Sequence, residues 1–254
     1  MAVAGSKRVL ALKKRKARER EQAFLIEGVR LCEEAVGSSP GDVEQLIFAR
    51  DMLDNPRLAG LKTAAESNNI TVQLTDRRAL KGMCETETPQ GVLGVARIPE
   101  RDRQAVLSSG KTLIVLDRVR DPGNLGLILR TAEAAGSGGI FLLNGSVELY
   151  NAKVVRATMG SIFRLPTFFE EDPEQLIPDL KSAGVPIIAA AMDAPAFANV
   201  GIPSPCAYLL GNEAFGVDPT LIALADQTIS IPMADPVNSL NVAIATAILL
   251  YHAS

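Results

Sequence analysis

The sequence is poor in the residues on which many metal, disulfide and acid–base sites depend. It has one histidine, His252, and no tryptophan among its 254 residues. Its three cysteines, Cys32, Cys84 and Cys206, are widely separated and form no Cys-x-x-Cys pair. We therefore expect neither a disulfide framework nor a Cys/His zinc site, predict no metal, and regard a reducing compartment as the best fit. His252, so near the end of the chain, is interpreted as a structural or surface residue rather than a base.

Long apolar runs are also absent. No stretch approaches the roughly 18 consecutive apolar residues of a membrane-spanning helix, and the first twenty residues lack the apolar core of a signal peptide. Hydrophobic residues make up 47% of the chain and charged residues 22%, which excludes disorder, collagen and coiled coil as the main architecture. We expect a soluble, cytoplasmic protein with no membrane partner.

The charge is distributed unevenly along the chain. The net charge is −3, but residues 7–20 hold eight Lys or Arg and one Glu, so they carry +7 and the remaining residues carry −10. Basic blocks commonly contact nucleic-acid phosphates, because each contact releases a condensed counterion. The alternative is a solvated helical face or a frayed terminus. The candidate RNA-binding residues of this block are Lys7, Arg8, Lys13, Lys14, Arg15, Lys16, Arg18 and Arg20.

The first hundred residues alternate helical and extended patterns, as in a compact α/β unit. The predicted elements are a polar helix through about residue 33, a strand at 44–50, a helix at 56–67, a strand at 70–75, a short helix at 75–84 and a strand at 90–98. The segment 99–110 is charged and then small and polar, which is typical of a linker. The predicted domains are therefore 1–98 and 111–254.

The second domain is predicted to be α/β with a parallel sheet. Its short strands are apolar throughout rather than alternating, as expected where helices cover both faces of a sheet. The predicted strands lie at 112–117, 139–144, 185–191, 206–211 and 227–232, and the helices at about 124–135, 151–158, 173–183 and 239–252. Ligands usually bind in the loops that follow the strands of such sheets.

Three segments that follow predicted strands combine Gly, Asn or Ser with the start of a helix. They are DRVRDPGNLGLILRTAEAAG at 117–136, LLGNEAFGVDP at 209–219 and ISIPMADPVNSLNVAIATAILLY at 229–251. The first lacks the G-x-G-x-x-G spacing of a dinucleotide fold, and the chain has no G-x-x-x-x-G-K-[ST] phosphate loop. The common nucleotide-binding sites are therefore disfavoured.

Together these segments resemble the SpoU (TrmH) family of RNA 2′-O-ribose methyltransferases, in the SPOUT class of S-adenosylmethionine enzymes. The resemblance covers about residues 111–254 and includes the stretch 151–166. The first motif, Asn-x-Gly-x-x-x-Arg, falls on Asn124, Gly126 and Arg130, the second, Gly-x-Glu-x-x-Gly, on Gly211, Glu213 and Gly216, and the third on Ile231-Pro232-Met233 and Ser239-Leu240-Asn241.

The resemblance implies a C-terminal SPOUT domain with a mostly parallel sheet and a deep trefoil knot, preceded by a small L30e-like α/β domain that binds RNA. It also implies S-adenosyl-L-methionine as the methyl donor, structured RNA, with ribosomal RNA favoured, as substrate, and a homodimer formed through the knot domain. The implied donor contacts are Gly211, Ile231 and Leu240, largely through backbone groups, with Leu209 and Met233 lining the adenine pocket.

The catalytic residues that the resemblance implies are Arg130, Asn124, Glu213, Ser239 and Asn241. Arg130 would clamp a phosphate and orient the ribose hydroxyl. Whether it also acts as the base stays open, because a guanidinium does not readily lose a proton in a protein. Three of these five residues have simpler alternative roles: Asn124 and Ser239 could cap helices, and Glu213 could be a solvated loop acid. Gly126 and Gly216 are interpreted as positions of close approach or positive φ.

The third motif departs from the family pattern at three positions. Asp235, Asn238 and Ala243 stand where Gly, Glu and Ser are frequent, so the loop at 234–238 is expected to differ in shape. Two other functions stay open. A transfer RNA 2′-O-methyltransferase is less favoured because no basic extension follows the final helix, and a non-catalytic RNA-binding or ribosome-associated protein is disfavoured by the intact motifs.

Overall fold

The computed structural model describes residues 6–212, 214–237 and 239–252, with Glu170 described by its backbone alone. The helices are α1 (Ser6–Leu12), α2 (Arg15–Glu21), α3 (Val29–Ser38), α4 (Pro56–Ser67), α5 (Arg77–Met83), α6 (Arg103–Leu107), α7 (Pro122–Ala134), α8 (Ala152–Ala157), α9 (Ser161–Arg164), α10 (Pro173–Ser182), α11 (Pro219–Ile222) and α12 (Val242–His252). The strands are β1 (Ala23–Glu27), β2 (Val43–Ala49), β3 (Thr71–Thr75), β4 (Val92–Arg97), β5 (Leu113–Leu116), β6 (Gly139–Leu143), β7 (Thr167–Glu171), β8 (Ile187–Ala190), β9 (Ala207–Leu210) and β10 (Gln227–Ile229). Over the described residues, no helix combines the length and the apolar character that crossing a membrane requires.

The chain divides into two compact units. The first is Met1–Glu100 with Tyr150–Arg164, and the second is Arg101–Leu149 with Leu165–Ser254. The first unit contains a mixed four-stranded sheet in the order β1-β4-β2-β3, in which β4 is antiparallel to both neighbours and β2 is parallel to β3. Side chains of α1, α5 and this sheet share one apolar core, which includes Val9, Leu12, Leu25, Ile47, Leu80 and Leu93.

The expectation of one polar helix through residue 33 is wrong. This region forms two short helices, α1 and α2, and the second ends at Glu21. Gln22 then takes a left-handed conformation with φ 47°. The next five residues form β1, which is buried throughout and pairs with β4. Helix α3 begins only after Gly28, whose φ of 104° favours glycine. The basic block is therefore folded into the first unit through Val9 and Leu12, which are fully buried.

Residues 150–164 pack within the first unit, although they lie inside the segment predicted as the second domain. The ring of Phe24 in β1 lies 4.7 Å from that of Tyr150 and 6.1 Å from that of Phe163, measured between centroids. Arg164 Nη1 donates to Glu34 Oε2 at 2.6 Å. These contacts between the 150–164 segment and the N-terminal elements hold α8 and α9 against β1 and α3.

The second unit contains a six-stranded sheet in the order β10-β8-β9-β5-β6-β7, and every neighbouring pair is parallel. Strands β5, β6 and β9 are buried at every residue, which confirms the predicted parallel sheet. Residues of α6 and α10 pack on one face, and α7 packs against α12. The segment 99–110, expected as a linker, thus contains a helix whose Val106 and Leu107 are buried.

The strand order places two loops side by side at one edge of the sheet. From β5 the chain builds outward through β6 to β7, and then returns to place β9 directly beside β5. Because the carboxyl ends of parallel strands share one edge, the loops after β5 and β9 lie next to each other there. This is the switch point of the sheet, where ligands usually bind in α/β folds.

Candidate active site

Asp117 holds together the loops that follow β5 and β9. The residue is 3% exposed, and its carboxylate accepts hydrogen bonds from Arg118 Nε at 2.8 Å, Arg118 Nη2 at 2.9 Å and the Asp218 backbone nitrogen at 2.9 Å. Arg118 Nη2 also lies 3.4 Å from Asp218 Oδ2. The hydrogen bonds to Asp117 raise the pKa of the Arg118 guanidinium, so this cation stays charged and keeps the two loops in register.

The loop after β9 turns back on itself. The backbone nitrogen of Asn212 donates to Gly216 O at 3.0 Å, and that of Gly216 donates to Asn212 O at 2.8 Å. Gly216 has φ 68°, which confirms the prediction of a conformation suited to glycine. At Gly211 a Cβ would lie 2.0 Å from the Gly216 carbonyl carbon, so only glycine fits. Asn212 Nδ2 donates to Arg118 O at 2.9 Å, which ties this turn to the loop after β5.

Helix α7 is capped by Asp121 rather than by Asn124. The Asp121 carboxylate accepts from the Asn124 backbone nitrogen at 2.7 Å, and Pro122 occupies the first helical position. The simpler interpretation of Asn124 as the cap is therefore wrong. Its side-chain oxygen instead accepts a hydrogen bond from Asn241 Nδ2 at 2.8 Å. Gly126, in the next turn, is a buried helical position.

The segment after β10 leads through irregular backbone to α12. Asn241 Oδ1 accepts from the backbone nitrogens of Ala243 at 2.9 Å and Ile244 at 3.4 Å, so Asn241 caps this helix and Ser239 does not. Ser239 is exposed. One side chain, Asn241, therefore fixes the start of α12 and at the same time contacts Asn124 of α7.

The structure places the other predicted site residues in different environments. Arg130 is exposed on α7 and forms no ion pair with the described residues. Met233 and Leu240 are each 36% exposed, and Ile231 is half-buried. Leu209 is fully buried in the core of the second unit, and its place in the adenine pocket stays a prediction. Glu213 and Asn238 lie outside the described residues.

His252 is exposed at the end of α12. Its ring is approximately perpendicular to that of Phe197, with 4.6 Å between centroids. This is the surface position expected for it from the sequence.

The basic residues of the N-terminal helices fall into two groups. Arg18 is 6% exposed and donates from Nη1 to Leu12 O at 2.8 Å, so it supports the fold. Arg8 pairs with Glu21 at 2.8 Å and Glu44 at 2.5 Å. Exposed basic side chains remain at Lys7, Lys14, Arg15, Lys16 and Arg20. Two of them are ion-paired, Arg15 with Glu19 at 2.6 Å and Arg20 with Glu21 at 2.8 Å.

The sequence did not single out the residues that connect the loops, Asp117, Arg118, Asn212 and Asp218, or the α7 cap Asp121. All five lie within two of the segments singled out for their Gly and Asn residues. Their signal was the presence of charged or amide side chains immediately after buried strands, at the carboxyl edge of a parallel sheet.

The second unit is an α/β domain with an all-parallel sheet that carries the three motif loops at its carboxyl edge. The SpoU rRNA Methylase family matches residues 111–251, and the chain belongs to this family. Residues 6–94 match the MRM3-like substrate binding domain.

Relatives resemble the chain over nearly its whole length. It is 34% identical to the 23S rRNA (guanosine(2553)-2′-O)-methyltransferase RlmP of Bacillus subtilis, over 94% of this chain and 91% of the relative. The structure of the SpoU methyltransferase AviRb from Streptomyces viridochromogenes in complex with AdoMet is similar with a TM-score of 0.85 and 28% identity, over 98% of this chain and 96% of that one. An AdoMet-bound rRNA methyltransferase from Sinorhizobium meliloti gives a TM-score of 0.83 and 30% identity, over 98% and 93%.

Proposed function

We propose that this protein transfers a methyl group from S-adenosyl-L-methionine to a ribose 2′-hydroxyl of ribosomal RNA. The observation that carries the proposal is the joining of the three motif loops at one edge of the parallel sheet, through Asp117, Asn212 and the Asn241–Asn124 hydrogen bond. Relatives named as 23S rRNA 2′-O-methyltransferases match nearly the whole chain, which supports both the reaction and the substrate.

The residues around the motif loops fit the methyl donor. Met233 and Leu240 are large apolar side chains left partly exposed beside irregular backbone, where an adenine ring would cover them. Gly211 allows the backbone of its loop to fold tightly. Backbone groups of Gly211, Ile231 and Leu240 would hold the donor, with Met233 against the adenine. When bound, the donor supplies a methyl group on a sulfonium.

Arg130 is proposed to clamp an RNA phosphate and orient the reacting hydroxyl. Its guanidinium is exposed, permanently charged and not paired with an acid of the described residues, so it is available to an anionic substrate. Positioning an oxygen nucleophile in line with the methyl group is a major contribution to such a transfer. Asn124 and Asn241 would fix the geometry of the hydroxyl site, with Ser239 beside them. Glu213 is proposed to hold the motif residues.

The C-terminal part of the chain is proposed to form the deep trefoil knot of SPOUT enzymes and to pair with a second copy. The position of β9 between β5 and β8, together with membership of the family, supports the knot. Helices α7 and α12 pack together and leave Leu127, Ile244 and Tyr251 exposed, which supports an apolar dimer surface. Light scattering tests the homodimer, and an Ile244→Glu variant that dimerises as tightly as the native protein would contradict this surface.

The first unit is proposed as an L30e-like RNA-binding domain. The match of residues 6–94 to the MRM3-like substrate binding domain supports this role, as do the exposed lysines of α1 and α2. Its low aromatic content, 4% over the whole chain, favours recognition through phosphates and shape over base stacking.

The test is a map of ribose methylation in ribosomal RNA from cells with and without the gene. One site should lose its 2′-O-methyl group on deletion and regain it when the purified protein and S-adenosylmethionine are added to the unmodified RNA. Transfer RNA from the same cells is the matched control. Methylation of transfer RNA alone would overturn the substrate assignment, and donor binding without transfer to either RNA would overturn the enzymatic one.

A further inference from the structure

A cavity of about 190 Å³ lies within the first unit, and four of its ten lining residues are basic. It is bounded by the basic N-terminal helices on one side and by the start of α8 on another. Its four cationic residues are Lys13, Arg18, Lys153 and Arg156. The volume is far above the roughly 15 Å³ that a single water needs, so a tetrahedral oxyanion can enter.

The cavity carries an excess of positive charge. Glu85 is the one acidic residue among its lining side chains. Lys13 Nζ is held at the wall, where it donates to Cys84 O at 2.8 Å and lies 3.8 Å from Glu85 Oε1. Arg18 is anchored through Leu12 O. Two of the four cations are thus fixed in place by the fold before any ligand arrives, which lowers the entropic cost of binding.

Arg156 lines the cavity with the accessible part of its side chain, which is 31% exposed. Its Nη1 atom is buried and makes no hydrogen bond within the described residues, and the nearest carboxylate oxygen, Glu27 Oε2, lies 3.9 Å away. The Glu27 carboxylate already accepts from the backbone nitrogens of Glu85 and Thr86 and from Thr86 Oγ1. Nη1 therefore lies beside Glu27 rather than at the cavity surface, and this ion pair holds the guanidinium in place at the wall.

Lys153 completes the set. It is exposed on α8 and forms no ion pair with the described residues. The cavity also continues the basic surface of the N-terminal helices, because Lys13 is followed directly by the exposed Lys14, Arg15 and Lys16. A polyanion that lies along these helices could therefore place one of its charged groups in the cavity.

We propose that this cavity binds one backbone phosphate of the RNA substrate, with Arg156 and Lys153 as its principal ligands and Lys13 beside them. The proposal rests on the function proposed above, and it adds α8 to the RNA-binding surface of the first unit. Arg156 supplies the directional N–H groups that suit a phosphate oxygen, and the two lysines supply charge.

The test compares the salt dependence of ribosomal RNA binding for the native protein and for the Lys153→Gln/Arg156→Gln variant. The slope of log K against log salt concentration should fall by about 0.7 to 0.9, the value for one phosphate contact, and affinity at low salt should fall about tenfold. The matched control is Arg57→Gln/Lys62→Gln on α4, which removes the same charge outside the cavity and should leave the slope nearly unchanged. Lys153→Gln alone should give a smaller decrease in the slope. Because Lys153 is exposed, this variant should fold normally, so its decrease cannot be due to a folding defect.

A second arm distinguishes RNA from free phosphate. Inorganic phosphate should raise the melting temperature of the native protein above that in chloride at equal ionic strength, and should do so less for the double variant. If phosphate stabilises the native protein more than the double variant but the two have equal RNA-binding slopes, the assignment to RNA is overturned. If the native protein and the double variant behave alike in both experiments, the site itself is overturned. Methyl transfer by the native protein is measured in parallel, so that its absence would count against the proposed function and leave the binding result to decide the cavity.

Discussion

Asn241 donates a hydrogen bond to Asn124 at 2.8 Å while it caps α12 through the Ala243 nitrogen at 2.9 Å. The two roles can be separated. Ser also caps helices but is too short to reach Asn124, so Asn241→Ser should lower methyl transfer about tenfold with little loss of stability. Asn241→Ala should show the same activity loss and in addition cost about 1 kcal/mol of unfolding free energy.

Asn55 provides the control for this pair, because it caps α4 by accepting from the Arg57 nitrogen at 2.9 Å and belongs to no motif. Asn55→Ala should lose a similar unfolding free energy without a change in methyl transfer. Urea unfolding and labelled methyl incorporation measure the two quantities. Native activity in Asn241→Ser would refute a role for the contact between the two asparagines.

Arg130→Ala should abolish methyl transfer and leave donor binding nearly unchanged, because the guanidinium is proposed to act on the RNA. Arg130→Lys keeps the charge but loses the planar fork, so it should retain a small part of the activity. Calorimetric titration with S-adenosylmethionine and labelled transfer to ribosomal RNA are the two readouts. Lys181→Ala, at an exposed position of α10 in the same unit, serves as the control and should be fully active. Persistent transfer by Arg130→Ala would remove this residue from the mechanism.

Gly211→Ala should disrupt the loop after β9, since the added Cβ would meet the backbone of Gly216 and Val217 at 2.0 and 2.1 Å. Backbone cannot yield as a flexible side chain does, so we expect a loss of about 3 kcal/mol in unfolding free energy and weaker donor binding. Gly60→Ala is the control: its Cβ would meet nothing within 4 Å in the exposed part of α4, so stability should be unchanged or rise by up to about 1 kcal/mol. Tight donor binding by Gly211→Ala would show that this loop tolerates rearrangement.

The three cysteines should be inert in the native protein. Burial raises the pKa of Cys206 to about 11 and of Cys84 to about 12, and it raises the pKa of Cys32 still further. At pH 8 a thiol-reactive disulfide dye should therefore label them slowly until urea unfolds the chain.

The same shifts set a pH dependence of stability. The folded protein keeps thiol protons that the unfolded chain releases near pH 8.5, so the contribution to stability is complete below that pH and decreases toward pH 11. Urea midpoints from pH 8 to 11 should fall, and the fall should be smaller for Cys206→Ala. Rapid labelling at pH 8, or midpoints that rise, would contradict the burial of these thiols.

Exposed lysines of the N-terminal helices should contribute to the salt dependence of RNA binding. Deleting these helices would remove Val9 and Leu12, which are fully buried in the core of the first unit, so substitution is the cleaner test. Lys7→Gln/Lys14→Gln/Lys16→Gln should reduce the slope of log K against log salt by up to about 2, as for loss of two to three phosphate contacts. An unaltered slope in this triple variant would reject these helices as an RNA surface, whatever the outcome for the cavity.

The sequence was most informative where local pattern and tertiary role coincide. Strands such as β5 and β9 are apolar at every position, and parallel pairing requires this. Strand β7, TFFEE, was missed because its acidic end does not look like a buried strand. Strand β1 was missed because its five residues follow directly on a polar helical pattern.

The finer features of the site depend on choices that local pattern cannot settle. Asp121 and Asn124 are both good capping residues three positions apart, and the fold uses the first and leaves the second for Asn241. Arg18 is one of eight basic residues in its segment, and the buried position that distinguishes it follows from how α2 packs. The family motifs identified the loops. The role of Asp117 and Asn212 in joining them depends on the strand order, which places β5 beside β9.

The division of the chain has a consequence for dissecting it. Because residues 150–164 pack with the first unit, the chain passes between the two units three times, at residues 100, 149 and 164. A fragment that ends at residue 98 would leave Phe24 without Tyr150 and Phe163, and a fragment that begins at 111 would carry α8 and α9 without β1 beneath them. Neither fragment carries all the contacts of its unit, so cutting the chain at these points should yield unstable pieces.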